Sequence, residues 1–127
     1  MVSPVALLRR PRWCYFEIPA ADLARSAAFY ESVFGWNARR RDRARPSFDD
    51  ATGYVSGAWV KDRPASREAG VLPYVWVDRI EATVAAVAAN VGEIVDAPHL
   101  DAPGGAWIST FRDPAGNLIG LYQEDER

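Results

Sequence analysis

Residues 16–36 read FEIPAADLARSAAFYESVFGW, and the fold prediction rests on this stretch. It overlaps an aromatic and β-branched run at 13–18 (WCYFEI) that is typical of a strand. Apolar residues then recur every three or four positions, at Leu23, Ala27, Tyr30 and Phe34. This spacing predicts an amphipathic helix. Asp22 is expected to cap its start and Gly35 to end it.

The second half of the chain repeats this pattern. Residues 74–77 (YVWV) are again strand-like, and a helical apolar face follows at Ile80, Val84, Val87 and Val91. Four positions align at a constant offset of 57 residues: Leu23 with Ile80, Ala27 with Val84, Tyr30 with Val87, and Gly35 with Gly92. Two unrelated helices can match in this way, but the strand before each one favours a duplication. Asp78, like Asp22 in the first half, is expected to cap or acidify the start of its helix.

Short strand-like runs follow each predicted helix, at 47–49, 54–60, 93–96, 106–111 and 118–122. The turn at 113–117 (DPAGN) predicts a hairpin between the last two runs. The chain is therefore divided into an N-terminal arm (1–12), a first βαβββ module (13–63), a linker (64–70) and a second βαβββ module (71–127). The predicted class is α+β, with tandem modules that form a curved mixed sheet around a cavity and helices outside.

Three stretches together resemble the glyoxalase / bleomycin-resistance / extradiol-dioxygenase superfamily, also called the vicinal oxygen chelate proteins. They are residues 16–36, residues 73–87 (PYVWVDRIEATVAAV) and residues 113–123 (DPAGNLIGLYQ). The combination is specific, although no single piece is, and it covers nearly the whole chain after the arm. The resemblance implies paired βαβββ modules, often in a homodimer, and in catalytic members a divalent metal inside the sheet.

The resemblance also locates the metal ligands of the catalytic members, which come from the first and last strands of each half. Those positions fall on Tyr15, Gly57, Leu72 and Gly120 in this chain. Divalent metals bind His, Cys or carboxylate side chains, or other oxygen ligands. Leucine and glycine side chains offer no such atom. The sequence is therefore interpreted as a variant without the usual metal ligands, and we expect no metal and no cofactor.

The composition argues against several classes of partner and favours one cellular compartment. The 127 residues include one histidine (His99) and one cysteine (Cys14), against five Trp, five Tyr and five Phe. A formal net charge of −2 argues against a nucleic-acid partner, and no apolar run suits a membrane span. One cysteine and no signal-peptide pattern favour the cytoplasm. The arginine-rich segment 39–45 is interpreted as a solvated strand or loop edge, with a site for an anion or an acidic partner as the alternative.

Strand alternation predicts which side chains line the cavity. If the four former ligand positions face inward, residues two positions away on the same strands do so as well. The ligand-binding residues are then Trp13, Tyr15, Glu17, Trp59, Leu72, Tyr74, Trp76 and Tyr122, with Val55 and Leu118 beside them. The two glycines are expected to leave room for a ligand. Aromatic walls suit planar, hydrophobic or cationic molecules, although such rings also fill barrels or cover dimer interfaces.

Three functions follow from these residues. The first is metal-independent binding of a small planar or hydrophobic molecule, such as sequestration of an antibiotic or metabolite. The second is a metal-free isomerase or cyclase in which Glu17, the charged residue of the predicted lining, acts as acid or base; Glu17 can equally hold a ligand's amine or an arginine. The third is an assembly subunit with a vestigial cavity. His99 lies in a Pro/Gly-rich loop and is a weaker candidate for a ligand contact.

Overall fold

The computed structural model describes residues 10–39, 46–68 and 70–124. Residues 1–9 of the predicted arm and 40–45 of the arginine-rich segment lie outside these ranges. The first module contains β1 (Tyr15–Pro19), α1 (Leu23–Phe34), β2 (Asn37–Arg39), β3 (Ser47–Asp49) and β4 (Ser56–Val60). The second contains β5 (Tyr74–Trp76), α2 (Ile80–Ala89), β6 (Glu93–Leu100), β7 (Trp107–Arg112) and β8 (Leu118–Gln123). The predicted α+β class and tandem βαβββ order are confirmed.

The strands form two four-stranded mixed sheets, in the orders β1-β4-β3-β2 and β5-β8-β7-β6. In each sheet the first strand of the module runs parallel to the last, and the other neighbours are antiparallel. Both sheets are open, and β1 and β5 are edge strands. The expected curved sheet is thus present as two separate sheets. Neither helix of the described ranges has the length and apolar character that a membrane crossing needs.

The first helix begins and ends where the sequence predicts. The Asp22 side chain accepts a hydrogen bond from the Arg25 backbone N–H at 3.0 Å, which satisfies a donor that the first turn cannot pair internally. Gly35 adopts a left-handed conformation with φ of 70°, and its N–H donates to the Glu31 carbonyl. This conformation is accessible to glycine at little cost and reverses the chain after α1.

The second helix is capped differently from the prediction. Its N-cap residue is Arg79, which makes no side-chain capping bond, so Asp78 lies one position before the cap and does not cap the helix. Gln123 of β8 instead accepts the Ile80 backbone N–H at 2.7 Å. At the C-terminal end of α2, the residue with a positive φ is Val91 (73°) and not Gly92, the counterpart of Gly35. A Cβ at Gly92 would lie 2.9 Å from the Phe29 ring and 2.5 Å from a Val87 methyl, so this glycine permits close packing between the helices.

A buried polar cluster joins the two modules at the hairpin 113–117. The Tyr30 hydroxyl of α1 donates to Asp113 Oδ2 at 2.8 Å, and Asn117 Nδ2 donates to the Pro19 carbonyl of β1 at 2.7 Å. Asn117 also accepts the Ser66 backbone N–H at 2.7 Å. The hairpin therefore holds the linker and the first module in one arrangement, and this arrangement determines where a cavity forms between the modules.

Candidate ligand cavity between the two modules

A cavity of about 660 Å³ lies between the two modules. One side of it is formed by the face of the first sheet that packs on α1, with Phe16 and Ile18 of β1. The other side is formed by the free edge of β5 and the first turn of α2. Pockets for small organic ligands commonly have volumes of roughly 300–1,000 Å³, so this cavity has a suitable size.

Four rings form what we call the aromatic wall: Tyr30, Phe34, Trp36 and Phe48. Trp36 lies at its centre, with ring centroids 4.9 Å from Tyr30 and 4.9 Å from Phe48 at interplanar angles of 16° and 12°. Phe34 stacks on Trp36 at 5.5 Å. The stacked rings fix one another's orientation, so the wall is a preformed apolar side of the cavity, in which Phe34 and Trp36 are the partly exposed members.

Local structure explains the position of Trp36. The left-handed turn at Gly35 ends α1 and directs the next residue back over the last helical turn, beside Tyr30 and Phe34. Phe48 reaches the same surface from β3. The site prediction omitted Trp36 and Phe48. An aromatic residue directly after a helix-ending glycine was the signal available in the sequence.

The side opposite the aromatic wall comes from the second module. Residues 73–79 all border the cavity, so both faces of β5 contribute and the cavity follows this strand's edge. Ala82 and Thr83 of α2 and Ile119 of β8 complete this side. Two predicted ligand-binding residues, Tyr74 and Trp76, therefore border the cavity, as does Val55.

The polar groups of the lining are few. Asp50 and Thr52 come from the loop after β3, and Asp78, Arg79 and Thr83 come from the start of α2. The Asp50 carboxylate accepts the Thr52 backbone N–H at 3.0 Å, and Thr83 donates its hydroxyl to the Arg79 carbonyl at 3.1 Å. The cavity thus combines apolar walls with a small set of charges.

The predicted orientation of Trp59 is wrong. Its side chain is fully buried, and its ring lies 4.8 Å from Phe48 and 6.0 Å from Tyr30, on the α1 side of the sheet. The cause is a shift of one position in β4. Gly57 pairs with Phe16 and Phe48 on the α1 side, so the residues of β4 that share the face of Tyr15 are Ser56 and Ala58.

The two glycines do not leave room for a ligand as expected. A Cβ at Gly120 would lie 2.4 Å from the Tyr74 ring, and one at Gly57 would lie 2.5 Å from the Phe48 ring. Aromatic rings thus already fill both spaces. Leu72 precedes β5 rather than lying in it, and neither it nor Leu118 borders the cavity.

Most of the remaining predicted binding residues lie on the sheet faces turned away from the helices, whereas Trp13 precedes β1 and its ring stacks on Phe16 at 5.8 Å. Tyr74 pairs with Gly120 and Trp76 with Tyr122, which places these three rings on one face of the second sheet. All three are exposed, and so are Trp13 and Tyr15. Trp13, Tyr15 and Tyr122 are not part of the cavity lining. Their predicted roles in binding stay predictions.

Glu17 forms an ion pair with Arg63, whose Nη2 lies 2.6 Å from Oε1. The carboxylate is outside the cavity lining, so the interpretation that it holds an arginine fits the structure.

Arg39 of the arginine-rich segment likewise forms an ion pair, with Asp49. The pKa of Asp49 is lowered by the hydrogen bond from the Asn37 amide, with further contributions from the Ala51 N–H and Arg39. Exposed His99 contacts the Ala97 carbonyl. Cys14 is exposed.

Comparison with known proteins fits this architecture. A sequence model of the Glyoxalase/Bleomycin resistance protein/Dioxygenase superfamily matches residues 14–121. The chain belongs to this superfamily. The resemblance predicted from the sequence is thereby confirmed. Comparison with curated proteins finds no match.

Solved structures of superfamily members share the fold. A glyoxalase/bleomycin resistance protein from Albidiferax ferrireducens has a TM-score of 0.72 at 19% identity, over 89% of this chain and 98% of that chain. A family enzyme from Burkholderia phytofirmans has 0.71 at 20%, over 86% and 95%. A lactoylglutathione lyase from Agrobacterium tumefaciens has 0.64 at 20%, over 91% and 96%. These similarities show the fold alone.

The residues at the superfamily's metal positions do not fit a divalent metal in this chain. Leu72 has no donor atom, and the Tyr74 ring covers Gly120. Gly57 lies on the α1 side of its sheet under the Phe48 ring. Among the described residues, no group of three or more His, Cys, Asp or Glu side chains is placed to hold a metal ion.

Proposed function

We propose that this superfamily member binds a small planar hydrophobic molecule in the cavity between its modules, without a metal. The observation that carries the proposal is the aromatic wall, a stack centred on Trp36 that borders a space of about 660 Å³. A flat ligand that packs against the partly exposed rings of this wall, Phe34 and Trp36, removes apolar area of both the ligand and the wall from water, at roughly 25 cal/mol per Å². Sequestration of an antibiotic or a metabolite in the cytoplasm is the role that we propose for such binding.

Calorimetric titration with a planar tricyclic probe, neutral acridine, tests the proposal. We expect saturable binding of one probe per chain. The Trp36→Leu variant should bind about tenfold more weakly, because truncating a central aromatic contact commonly costs at least about 1.4 kcal/mol. Tyr54→Leu is the matched control, since Tyr54 is exposed and outside the lining. Unchanged affinity in a folded Trp36→Leu variant would place the ligand elsewhere.

We also propose a homodimer, which the exposed face of the second sheet supports. Tyr74, Trp76 and Tyr122 together place three rings on one side of neighbouring strands. Exposed contiguous aromatic surface of this kind is more typical of an interface than of a monomer's surface. Tyr74 and Trp76 also border the cavity, so the proposed interface would lie beside the ligand site, whereas Tyr122 is outside the lining.

The enzymatic alternative has a separate test. If Glu17 is a general acid or base, Glu17→Gln should abolish turnover of a bound metabolite while its dissociation constant stays the same. The ion pair with Arg63 gives Glu17 a structural role that accounts for its position without catalysis. Retained turnover in the variant would exclude Glu17 as the acid or base.

A further inference from the structure

Negative charges outnumber positive charges in the cavity lining. The charged side chains among the described lining residues are Asp50, Asp78 and Arg79, which gives two negative charges and one positive charge. The Asp78 carboxylate makes no hydrogen bond or ion pair with any other residue that the structure describes. Asp50 is held in place by its loop, where Oδ1 accepts two hydrogen bonds from Thr52.

Exposed aromatic rings of the lining add to this negative character. The faces of Trp, Tyr and Phe rings carry the negative part of the ring quadrupole, and they attract organic cations within about 6 Å of the ring centroid. Trp76 and Tyr74 border the cavity and are 58% and 44% exposed, so their rings are accessible to a ligand. A planar cation packed against these rings would gain contact area, the attraction of the ring quadrupole and the field of two carboxylates together.

We propose that the cavity selects planar organic cations, such as a protonated heteroaromatic amine, over neutral and anionic molecules of the same shape. This inference rests on the proposed function and names its ligand class. Arg79 by itself would favour an anion. However, an anion that reached Arg79 would also meet Asp78, the next residue along the chain, and the exposed Trp76 ring.

The experiment compares three probes of one shape by calorimetry near neutral pH: 9-aminoacridine (cation), acridine (neutral) and acridine-9-carboxylate (anion). We expect the cation to bind about tenfold more tightly than the neutral probe, and the anion most weakly. Added salt should reduce the ratio of cation to neutral affinity, because the charges lie at the partly solvated rim. The neutral probe's affinity should change little.

Two variants with opposite expected effects locate the selectivity. Asp78→Asn should lower the ratio of cation to neutral affinity about threefold, and Arg79→Gln should raise this ratio. Asp101→Asn is the matched control, since Asp101 is exposed and outside the lining, and its ratio should equal that of the original protein.

The outcomes separate this inference from the proposed function. Equal binding of the cation and the neutral probe, or tighter binding of the anion, overturns the charge selectivity and leaves the proposed function standing. Binding of none of the three overturns both. A cation preference that Asp78→Asn leaves unchanged overturns the assignment to this rim.

Discussion

Tyr30 places a titratable hydroxyl group in the interior, where it donates to Asp113 at 2.8 Å. Burial raises the pKa of Tyr30 well above its ordinary value, and the neighbouring Asp113 charge and hydrogen bond raise it further. Folded Tyr30 therefore keeps its proton where the unfolded chain loses it, from about pH 10 upward. The stability that this group contributes is fully present below about pH 10 and is lost as pH rises through the folded pKa.

The Tyr30→Phe variant tests this linkage. It should lower the free energy of unfolding at neutral pH by about 1.5–3 kcal/mol, because the buried carboxylate loses a donor. Urea denaturation of both proteins should show that this difference shrinks above about pH 10. A difference that stays constant into the alkaline range would contradict the coupling between Tyr30 and Asp113.

Gly120 is a second residue at which a small change should alter the packing. A Cβ there would lie 2.4 Å from the Tyr74 ring, so Gly120→Ala must displace that ring. We expect a loss of about 1–3 kcal/mol in the free energy of unfolding, as for other overpacked sites. In a Tyr74→Ala background the same change should cost little, since the colliding ring is gone. Equal costs in the two backgrounds, measured as a double-mutant cycle, would show that the ring does not restrict this position.

Strand alternation predicted orientations at the residue scale only where the strand register was known. Gly120, Tyr74 and Tyr122 share a face as expected, because the hairpin turn fixed the register of β8. Trp59 faces the other way, because no turn motif fixed the register of β4 and the assignment of Gly57 was one position out. A shift of one residue moves every side chain of a strand to the opposite face.

At the scale of elements, the hairpin 113–117 is the piece that joins the modules. Asn117 is buried, and its amide bonds to the Pro19 carbonyl, the Ser66 N–H and Asp113. We expect Asn117→Ala to lower the free energy of unfolding by about 2–3 kcal/mol, because buried partners lose their hydrogen bonds. Asn90→Ala is the control, since Asn90 bonds only locally to Ala86 and its loss should cost about 1 kcal/mol or less. Equal losses in denaturant titrations would contradict the role of the hairpin.

The sequence predicted the elements better than the contacts between them. Helical periodicity and the 57-residue repeat located α1 and α2, and the turn residues located the last hairpin. The N-terminal cap of α2 was mistaken because the acceptor for its first N–H, the Gln123 side chain, comes from a strand 43 residues away. No local pattern near Ile80 indicates that partner.

The same limit applies at the scale of the whole molecule. The resemblance to the superfamily predicted a ligand cavity. The position of that cavity depends on how the two modules pack against each other. That docking is fixed by pairs such as Tyr30 with Asp113, which are 83 residues apart. Trp36 therefore lines a cavity that strand alternation could not locate, and the sheet faces predicted to enclose the ligand are exposed.

Those exposed faces lead to the last prediction, on assembly. If the second sheet's ring-bearing face forms the proposed homodimer, sedimentation velocity should show a dimer that dissociates on dilution. Tyr122→Glu should raise its dissociation constant about tenfold or more, because a charge would be buried against apolar surface. Tyr54→Glu supplies the control, with an exposed tyrosine outside that sheet. Acridine binding should survive in Tyr122→Glu, since Tyr122 does not line the cavity. A monomer at every concentration, or equal dissociation constants in both variants, would exclude this face as the interface.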